Sequence, residues 1–153
     1  MIKLPSGLNI NVLINDLRNF SWEASNILLY YSKILKDSDY KCNILKNDNI
    51  QDPITLADLK VNNFIIDQIN KKYKDINWKI LSEENAKISF DHFETNTEWV
   101  WVLDPLDGTK DFIQGTGNYA MHLALNYRQK PFIGVVLIPE KNELWISHGE
   151  KIW

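Results

Sequence analysis

The sequence predicts an α+β fold in which two helices pack on a mainly antiparallel sheet. Apolar residues recur at helical spacing in the first half of the chain, and short apolar runs separated by turn residues occupy the second half. Because helices come first and strands afterwards, the pattern favours segregated layers over alternating strand and helix units. The chain has 153 residues, 44% of them hydrophobic, which is the size and composition of one ordinary domain.

Two helices are predicted in the first half of the chain. The first covers residues 13–35, where one apolar stripe is formed by Leu13, Leu17, Phe20, Ala24, Ile27, Tyr31 and Leu35. Four polar residues lie off this stripe: Asn15, Asp16, Glu23 and Lys33. The second helix covers residues 55–73, with Val61, Ile65, Ile69 and Tyr73 on one side. Between the helices, the sequence predicts a short strand at residues 41–45 and a polar loop at 46–53.

Strands are predicted in the second half of the chain. A short strand at residues 78–81 leads into Ser82-Glu83-Glu84, and a polar connection follows to residue 98. Residues 99–103 are continuously apolar, which is typical of a strand buried on both faces. Two runs, at 119–127 and 132–138, flank a turn and predict an antiparallel hairpin, and a last strand is predicted at 143–147. Tryptophans 99, 101 and 145 are expected in the core, and His122 is expected to be a packed or edge residue.

The composition excludes several classes of function. The formal net charge is −3 and no long basic run occurs, so neither nucleic-acid binding nor membrane-surface binding has support. No apolar run approaches the ~20 residues that cross a bilayer, and residues 1–7 lack the apolar stretch of a signal peptide. The single cysteine, Cys42, excludes an intrachain disulfide. We therefore expect a cytoplasmic protein.

The segment that carries chemistry begins where the apolar strand ends, with Asp104-Pro105-Leu106-Asp107-Gly108-Thr109. Pro105 suits the second position of a tight turn, so Asp107 is expected to return beside Asp104. Two carboxylates this close repel, and one pKa rises unless a cation lies between them. Magnesium is the favoured cation because it binds carboxylate and carbonyl oxygens, and the carbonyl of Leu106 offers a third oxygen.

The same turn offers a phosphate-binding site. Gly108 lets the backbone approach a ligand closely. Thr109 suits the start of a short helical turn at residues 110–113, where free backbone N–H groups attract phosphate. Carboxylates that bind a metal, next to a phosphate cradle, are the parts of metal-assisted phosphoester hydrolysis. A plain turn of Asp, Pro and Gly without function is the alternative, and it accounts poorly for six such residues in this order.

Two upstream acids extend this site. Glu83 follows a predicted strand, as Asp104 does, and adjacent strand ends would bring the two together. Thr55 and Asp58 form a capping box at the start of the second helix. Asp58 would also be able to help the Thr109 hydroxyl take a proton from a metal-bound water.

These motifs resemble the lithium-sensitive inositol monophosphatase superfamily. The matching segments are residues 52–58, 82–84 and 101–112. The resemblance implies the layered α/β/α/β/α sugar-phosphatase fold, of which residues 1–153 would be the N-terminal, metal-binding half. It implies that Glu83, Asp104 and the Leu106 carbonyl hold one Mg²⁺, that Asp104 and Asp107 hold a second, and that the complete enzyme uses two or three ions.

The resemblance also assigns the water and the phosphate. Asp58 and Thr109 would activate the attacking water, and the phosphate would be bound by Asp107, Gly108 and Thr109. Lys110, followed by Asp111-Phe112, resembles the 3′(2′),5′-bisphosphate nucleotidases, which remove the 3′-phosphate of adenosine 3′,5′-bisphosphate, a by-product of sulfate assimilation. Inositol phosphate, histidinol phosphate and sugar bisphosphates are the alternative substrates.

The chain departs from the superfamily in length. Its members are considerably longer, and their second half carries a Trp-Asp dipeptide whose aspartate completes the second metal site. No Trp-Asp dipeptide occurs in this sequence. We therefore expect a fragment that binds Mg²⁺ weakly, turns over poorly and self-associates through an exposed sheet face. The alternative is a non-catalytic module that keeps the fold.

Overall fold

The computed structural model describes residue 2 and residues 4–36, 56–83 and 97–153. Three helices occur in this part of the chain: α1 (Ile10–Lys36), α2 (Leu56–Lys72) and α3 (Thr109–Gln114). The strands are β1 (Lys79–Ser82), β2 (Trp99–Asp107), β3 (Ala120–Tyr127), β4 (Lys130–Ile138), β5 (Glu143–His148) and β6 (Lys151–Ile152). The predicted strand at 41–45, the loop at 46–53, Thr55 and most of the connection before residue 98 lie outside the described residues.

The strands form one mixed sheet in chain order, from β1 to β6. β1 and β2 run parallel, and each later pair of neighbours runs antiparallel. The β3–β4 hairpin turns at Arg128 and Gln129, whose φ angles of 47° and 65° suit a two-residue turn that follows the strand twist. The predicted arrangement of helices on a mainly antiparallel sheet is confirmed, and β6 is an additional strand that was not predicted.

Helices α1 and α2 pack against the sheet through one apolar core. The predicted stripes supply much of it: Leu13 and Leu17 from α1 and Val61, Ile65 and Ile69 from α2 are each 0% exposed. The tryptophans of β2, at 99 and 101, are buried as expected. Burial of a large apolar side chain stabilises a fold by about 1.5–3 kcal/mol, so these stripes hold the layers together. Within the described residues, no helix is both long and apolar enough to cross a membrane.

Asp16 lies off the apolar stripe of α1, yet it is only 5% exposed. Its carboxylate accepts hydrogen bonds from the Lys72 ammonium group and the Tyr73 hydroxyl, both at 2.5 Å. A carboxylate is tolerated in a buried position when it has such partners. Burial, together with the Asp16 carboxylate, raises the pKa of Tyr73. Asp16 therefore joins α1 to the C-terminal end of α2. The helical periodicity of the sequence gave no indication of this link.

The second face of the sheet is half-exposed, and we call it the open face. A cross-strand row of partners marks it: Asp104, His122, Val136 and Trp145. Along β2, the buried residues Trp101 and Leu103 alternate with Val102, which is 40% exposed. The prediction that β2 is buried on both faces is therefore wrong. Its apolar run is continuous because apolar side chains also lie on the half-exposed open face. Trp145 was expected in the core, but it is 52% exposed on this face.

Candidate active site

The parallel pairing of β1 and β2 brings the first two predicted acids together. Ser82 lies beside Leu103 in the register, so Glu83 and Asp104 come next along neighbouring strands. The Ser82 hydroxyl also donates a hydrogen bond to the buried side chain of Asn62 on α2, which ties the end of β1 to that helix. The strand end that presents Glu83 is therefore fixed on two sides.

Asp104 is the electrostatic centre of the site. Burial raises the pKa of its carboxyl group most, and the negative charge of Glu83 raises it further. The Leu106 N–H and His122 act in the opposite direction, while Asp107 adds to the rise. Carboxylates at the ends of neighbouring strands raise each other's pKa in this way. A cation between them would favour the ionised form of the Asp104 carboxyl group.

The predicted strand end at residue 103 and the tight turn at 104–107 are wrong, because β2 continues to Asp107 and the chain turns at Gly108. We call residues 104–108 the acidic turn, and local hydrogen bonds hold it. The Leu106 N–H donates to Asp104 Oδ1 at 3.2 Å, and Thr109 Oγ1 donates to the Leu106 carbonyl at 3.0 Å. The pairing of β2 with β3 shifts register between Asp104 and Asp107, and such a bulge re-aims the side chains around it. The Asp107 side chain is 60% exposed and thus available to a ligand.

The oxygen donors fit a hard divalent cation. Within the part of the chain that the structure describes, no group of three or more His, Cys, Asp or Glu side chains forms a ready-made cation cage. Mg²⁺ accepts a sparser site, because it binds through one or two carboxylates and keeps several waters. The Leu106 carbonyl also retains a second lone pair after accepting from Thr109. Asp104, Asp107, Glu83 and this carbonyl are therefore suitable ligands, and their role stays a prediction.

Gly108 occupies a position that excludes a side chain. Its φ angle is 82°, and a Cβ atom built on it would lie 2.7 Å from the carbonyl oxygen of Asn118. The glycine carbonyl accepts the Phe112 N–H at 2.9 Å and so begins α3 with Thr109 as its first residue. The backbone of Gly108 and Thr109 is therefore presented on a tight turn with no side chain on the glycine.

Asp58 lies in the first turn of α2 and is 5% exposed. The capping box with Thr55 stays a prediction, because Thr55 lies outside the described residues. Thr109 donates its hydroxyl proton to Leu106, and its oxygen can still accept a hydrogen bond. The joint action of Asp58 and Thr109 on a water molecule also stays a prediction.

His122 belongs to the site, although its sequence context predicted no role for it there. The expectation of a packed or edge residue is wrong, because β3 lies between β2 and β4 and the His122 side chain is 44% exposed. It pairs in register with Asp104, and its Nδ1 lies 3.9 Å from Asp107 Oδ2. The alternation of buried Met121 and Leu123 around it was the sequence signal for its outward orientation.

A cleft of about 220 Å³ that no sequence pattern predicted opens beside Asp107. Its other lining residues are Gly117, Asn118, Tyr119, Ala120, Ile138 and Lys141. Lys141 lies in the 3₁₀ turn Pro139–Lys141, which joins β4 to β5. The cleft forms only when the loop before β3 meets this turn, so local sequence patterns give no signal for it.

The fold and the site together define a class: an α+β domain with two helices on a mixed sheet and an acidic turn where an interior strand ends. Within that class, the sequence pattern of the Inositol monophosphatase family matches residues 12–152. The chain belongs to this family.

Individual relatives agree with this assignment. The 3′(2′),5′-bisphosphate nucleotidase CysQ of Shigella flexneri is 35% identical over 112 residues, which are 72% of this chain and 42% of the relative. Inositol monophosphatase II of Staphylococcus aureus is 26% identical with a TM-score of 0.66, over 93% of this chain and 47% of that chain. The SuhB protein of Bartonella henselae, 22% identical with a TM-score of 0.71 over 93% of this chain and 51% of that chain, shows the fold alone. The chain thus spans about half the length of these proteins.

Proposed function

We propose that this chain carries the metal-binding and phosphate-binding part of a magnesium-dependent phosphatase that removes the 3′-phosphate of adenosine 3′,5′-bisphosphate. The observation that carries the proposal is the parallel pairing of β1 and β2, which places Glu83 and Asp104 at neighbouring strand ends, with Asp107 at the end of β2. The charges of Glu83 and Asp107 raise the pKa of the Asp104 carboxyl group there. The similarity to a 3′(2′),5′-bisphosphate nucleotidase supports the choice of substrate.

The acidic residues would hold the metal. Glu83, Asp104 and the Leu106 carbonyl form one set of oxygen donors, and Asp104 and Asp107 form a second. Bound Mg²⁺ supplies a Lewis acid for the phosphoryl oxygens and lowers the pKa of bound water. Asp104 belongs to both sets, and a cation between these oxygens would favour the ionised form of its carboxyl group, whose pKa is raised by burial and by Glu83.

The last residue of the acidic turn and the residue after it would bind the substrate phosphate. The backbone N–H groups of Gly108 and Thr109 are the donors. The Thr109 hydroxyl would join them by releasing the Leu106 carbonyl, to which it donates at 3.0 Å in the structure. Asp58 and Thr109 would orient the attacking water and accept its proton. Water would attack the phosphorus directly, so no phosphoenzyme forms.

Titration calorimetry with Mg²⁺ and adenosine 3′,5′-bisphosphate tests this proposal, together with an assay for released phosphate. We expect binding of the nucleotide to require Mg²⁺ and to be lost in Asp104→Asn and Asp107→Asn. Asp75→Asn is the matched control, because Asp75 is exposed in the turn before β1, at the strand end opposite Glu83. Metal-independent nucleotide binding, or full binding by Asp104→Asn, would refute the proposal.

A second candidate is an inositol monophosphatase-like activity, which the structural similarity to the Staphylococcus aureus enzyme favours. A panel of adenosine 3′,5′-bisphosphate, inositol monophosphate, histidinol phosphate and a sugar bisphosphate separates these substrates. Magnesium-dependent ligand binding without phosphate release would instead indicate a non-catalytic module. Rapid phosphate release by the 153 residues would contradict the expectation of poor turnover.

A further inference from the structure

We propose that Lys141 selects substrates that carry a second phosphate group. This inference rests on the proposed phosphatase function and adds a specificity residue to it. Lys141 and Asp107 line the same cleft of about 220 Å³. A ligand whose first phosphate lies at the turn of Asp107 and Gly108 would therefore extend along the cleft toward Lys141. Whole small ligands occupy pockets of about 300–1,000 Å³, so this cleft fits a phosphate group and its neighbouring atoms rather than an entire nucleotide.

The turn that presents Lys141 is anchored by the residue before it. The Glu140 carboxylate accepts hydrogen bonds from Ser32 Oγ and Lys36 Nζ, both at 2.8 Å, and from the Tyr119 hydroxyl at 3.3 Å. The bond from Lys36, with that from Ser32, lowers the pKa of Glu140 and keeps it ionised. Ser32 and Lys36 belong to α1, so the position of Lys141 is set by a helix of the core.

Tyr119 connects the same anchor to the opposite wall of the cleft. Its hydroxyl bonds to Glu140, its ring packs edge-on against Phe112 of α3, and burial raises its pKa to about 12. The loop before Tyr119 also touches the acidic turn, because the Asn118 carbonyl lies against Gly108. The two walls of the cleft and the phosphate turn are therefore held in a fixed relation.

Lys141 is available to a ligand. It is exposed, and its ammonium group makes no ion pair or hydrogen bond with any of the described residues. Lys36 and Lys72, by contrast, are each paired with a carboxylate. An ammonium group provides three donors and one positive charge, which suit a phosphate and offset the nearby charge of Asp107.

Calorimetry on the 153-residue chain with Mg²⁺ tests the inference with two ligands, adenosine 3′,5′-bisphosphate and adenosine 3′-monophosphate. We expect Lys141→Met to weaken binding of the bisphosphate roughly tenfold, the loss of one charged hydrogen bond, and to leave the monophosphate unchanged. Lys141→Arg should retain the affinity because it keeps the charge. Lys130→Met is the matched control, since Lys130 is exposed where β4 begins, at the hairpin end of the sheet.

The outcomes separate this inference from the function on which it rests. Unchanged bisphosphate affinity in Lys141→Met overturns the inference, and so does an equal loss for both ligands. If the unmodified chain binds neither ligand in the presence of Mg²⁺, the proposed function fails and the inference fails with it. A thermal unfolding curve for each variant shows whether a lost affinity reflects a lost fold.

Discussion

At the scale of the residue, Asp104 links the stability of the chain to pH and to metal. Its carboxyl pKa is raised in the folded state, chiefly by burial and then by Glu83. A raised carboxyl pKa means that the ionised form is better accommodated in the unfolded chain. The folded state therefore loses stability as pH rises from the ordinary carboxyl value, about 3.9, through the raised value of the folded state.

We therefore expect Asp104→Asn to raise the melting temperature at pH 7 in the presence of a chelator. The difference from the unmodified chain should disappear when the pH falls below the ordinary carboxyl value. Added Mg²⁺ should reverse the order, because it stabilises only the form that binds it. Thermal unfolding followed by circular dichroism measures both effects, and a lower melting temperature for the variant in chelator would contradict them.

Gly108 gives a second prediction at this scale. We expect Gly108→Ala to destabilise the fold by about 2 kcal/mol or more, because the new methyl group strains a positive φ and meets the Asn118 carbonyl at 2.7 Å. Gly149→Ala is the matched control, since Gly149 has a φ of 60° with nothing within 4 Å of the added atom. Urea unfolding of both variants isolates the contact, and equal losses would show that only the backbone angle matters.

At the scale of the element, the two long helices are joined by a polar contact inside an apolar layer. We expect Asp16→Ala to lower the free energy of unfolding by about 1–3 kcal/mol, because Tyr73 and Lys72 lose their shared acceptor. Asp67→Ala, on the exposed side of α2, should change it by no more than about 0.5 kcal/mol. Urea unfolding measures both, and similar losses in the two variants would remove the special role of Asp16.

Elements of this fold differ in how far their sequence predicts them. The apolar stripes of α1 and α2 depend on local spacing, and they were predicted closely. The start of β2 was predicted correctly, but the strand continues past Leu103 to Asp107. An apolar run does not show whether a second layer covers both faces of a strand, so the exposure of Val102 was missed, as was that of Trp145 on β5. The acidic turn was found because its residues are contiguous. His122 and Lys141 reach the site through strand pairing and a distant turn, which sequence spacing does not encode.

At the scale of the whole molecule, the open face should govern association. Val102 and Trp145 are 40% and 52% exposed on it, and exposed apolar area of this kind favours contact with another surface. We expect the chain to form dimers or larger species as its concentration rises, and Trp145→Lys to weaken this association. Sedimentation velocity over a range of concentrations measures it. Tyr30→Lys, at the exposed surface of α1, is the control, and a monomer at every concentration would contradict the expectation.

The parallel pair β1–β2 has a consequence for the order of folding. Strands β3, β4 and β5 are joined by short turns, and pairings across short turns form with little loss of chain entropy. The pairing of β1 with β2 closes a longer connection than these two turns, so it belongs to a later stage of folding. Glu83 would then approach Asp104 only after β3, β4 and β5 have paired. The repulsion between the two carboxylates would therefore not destabilise the earliest folding intermediates.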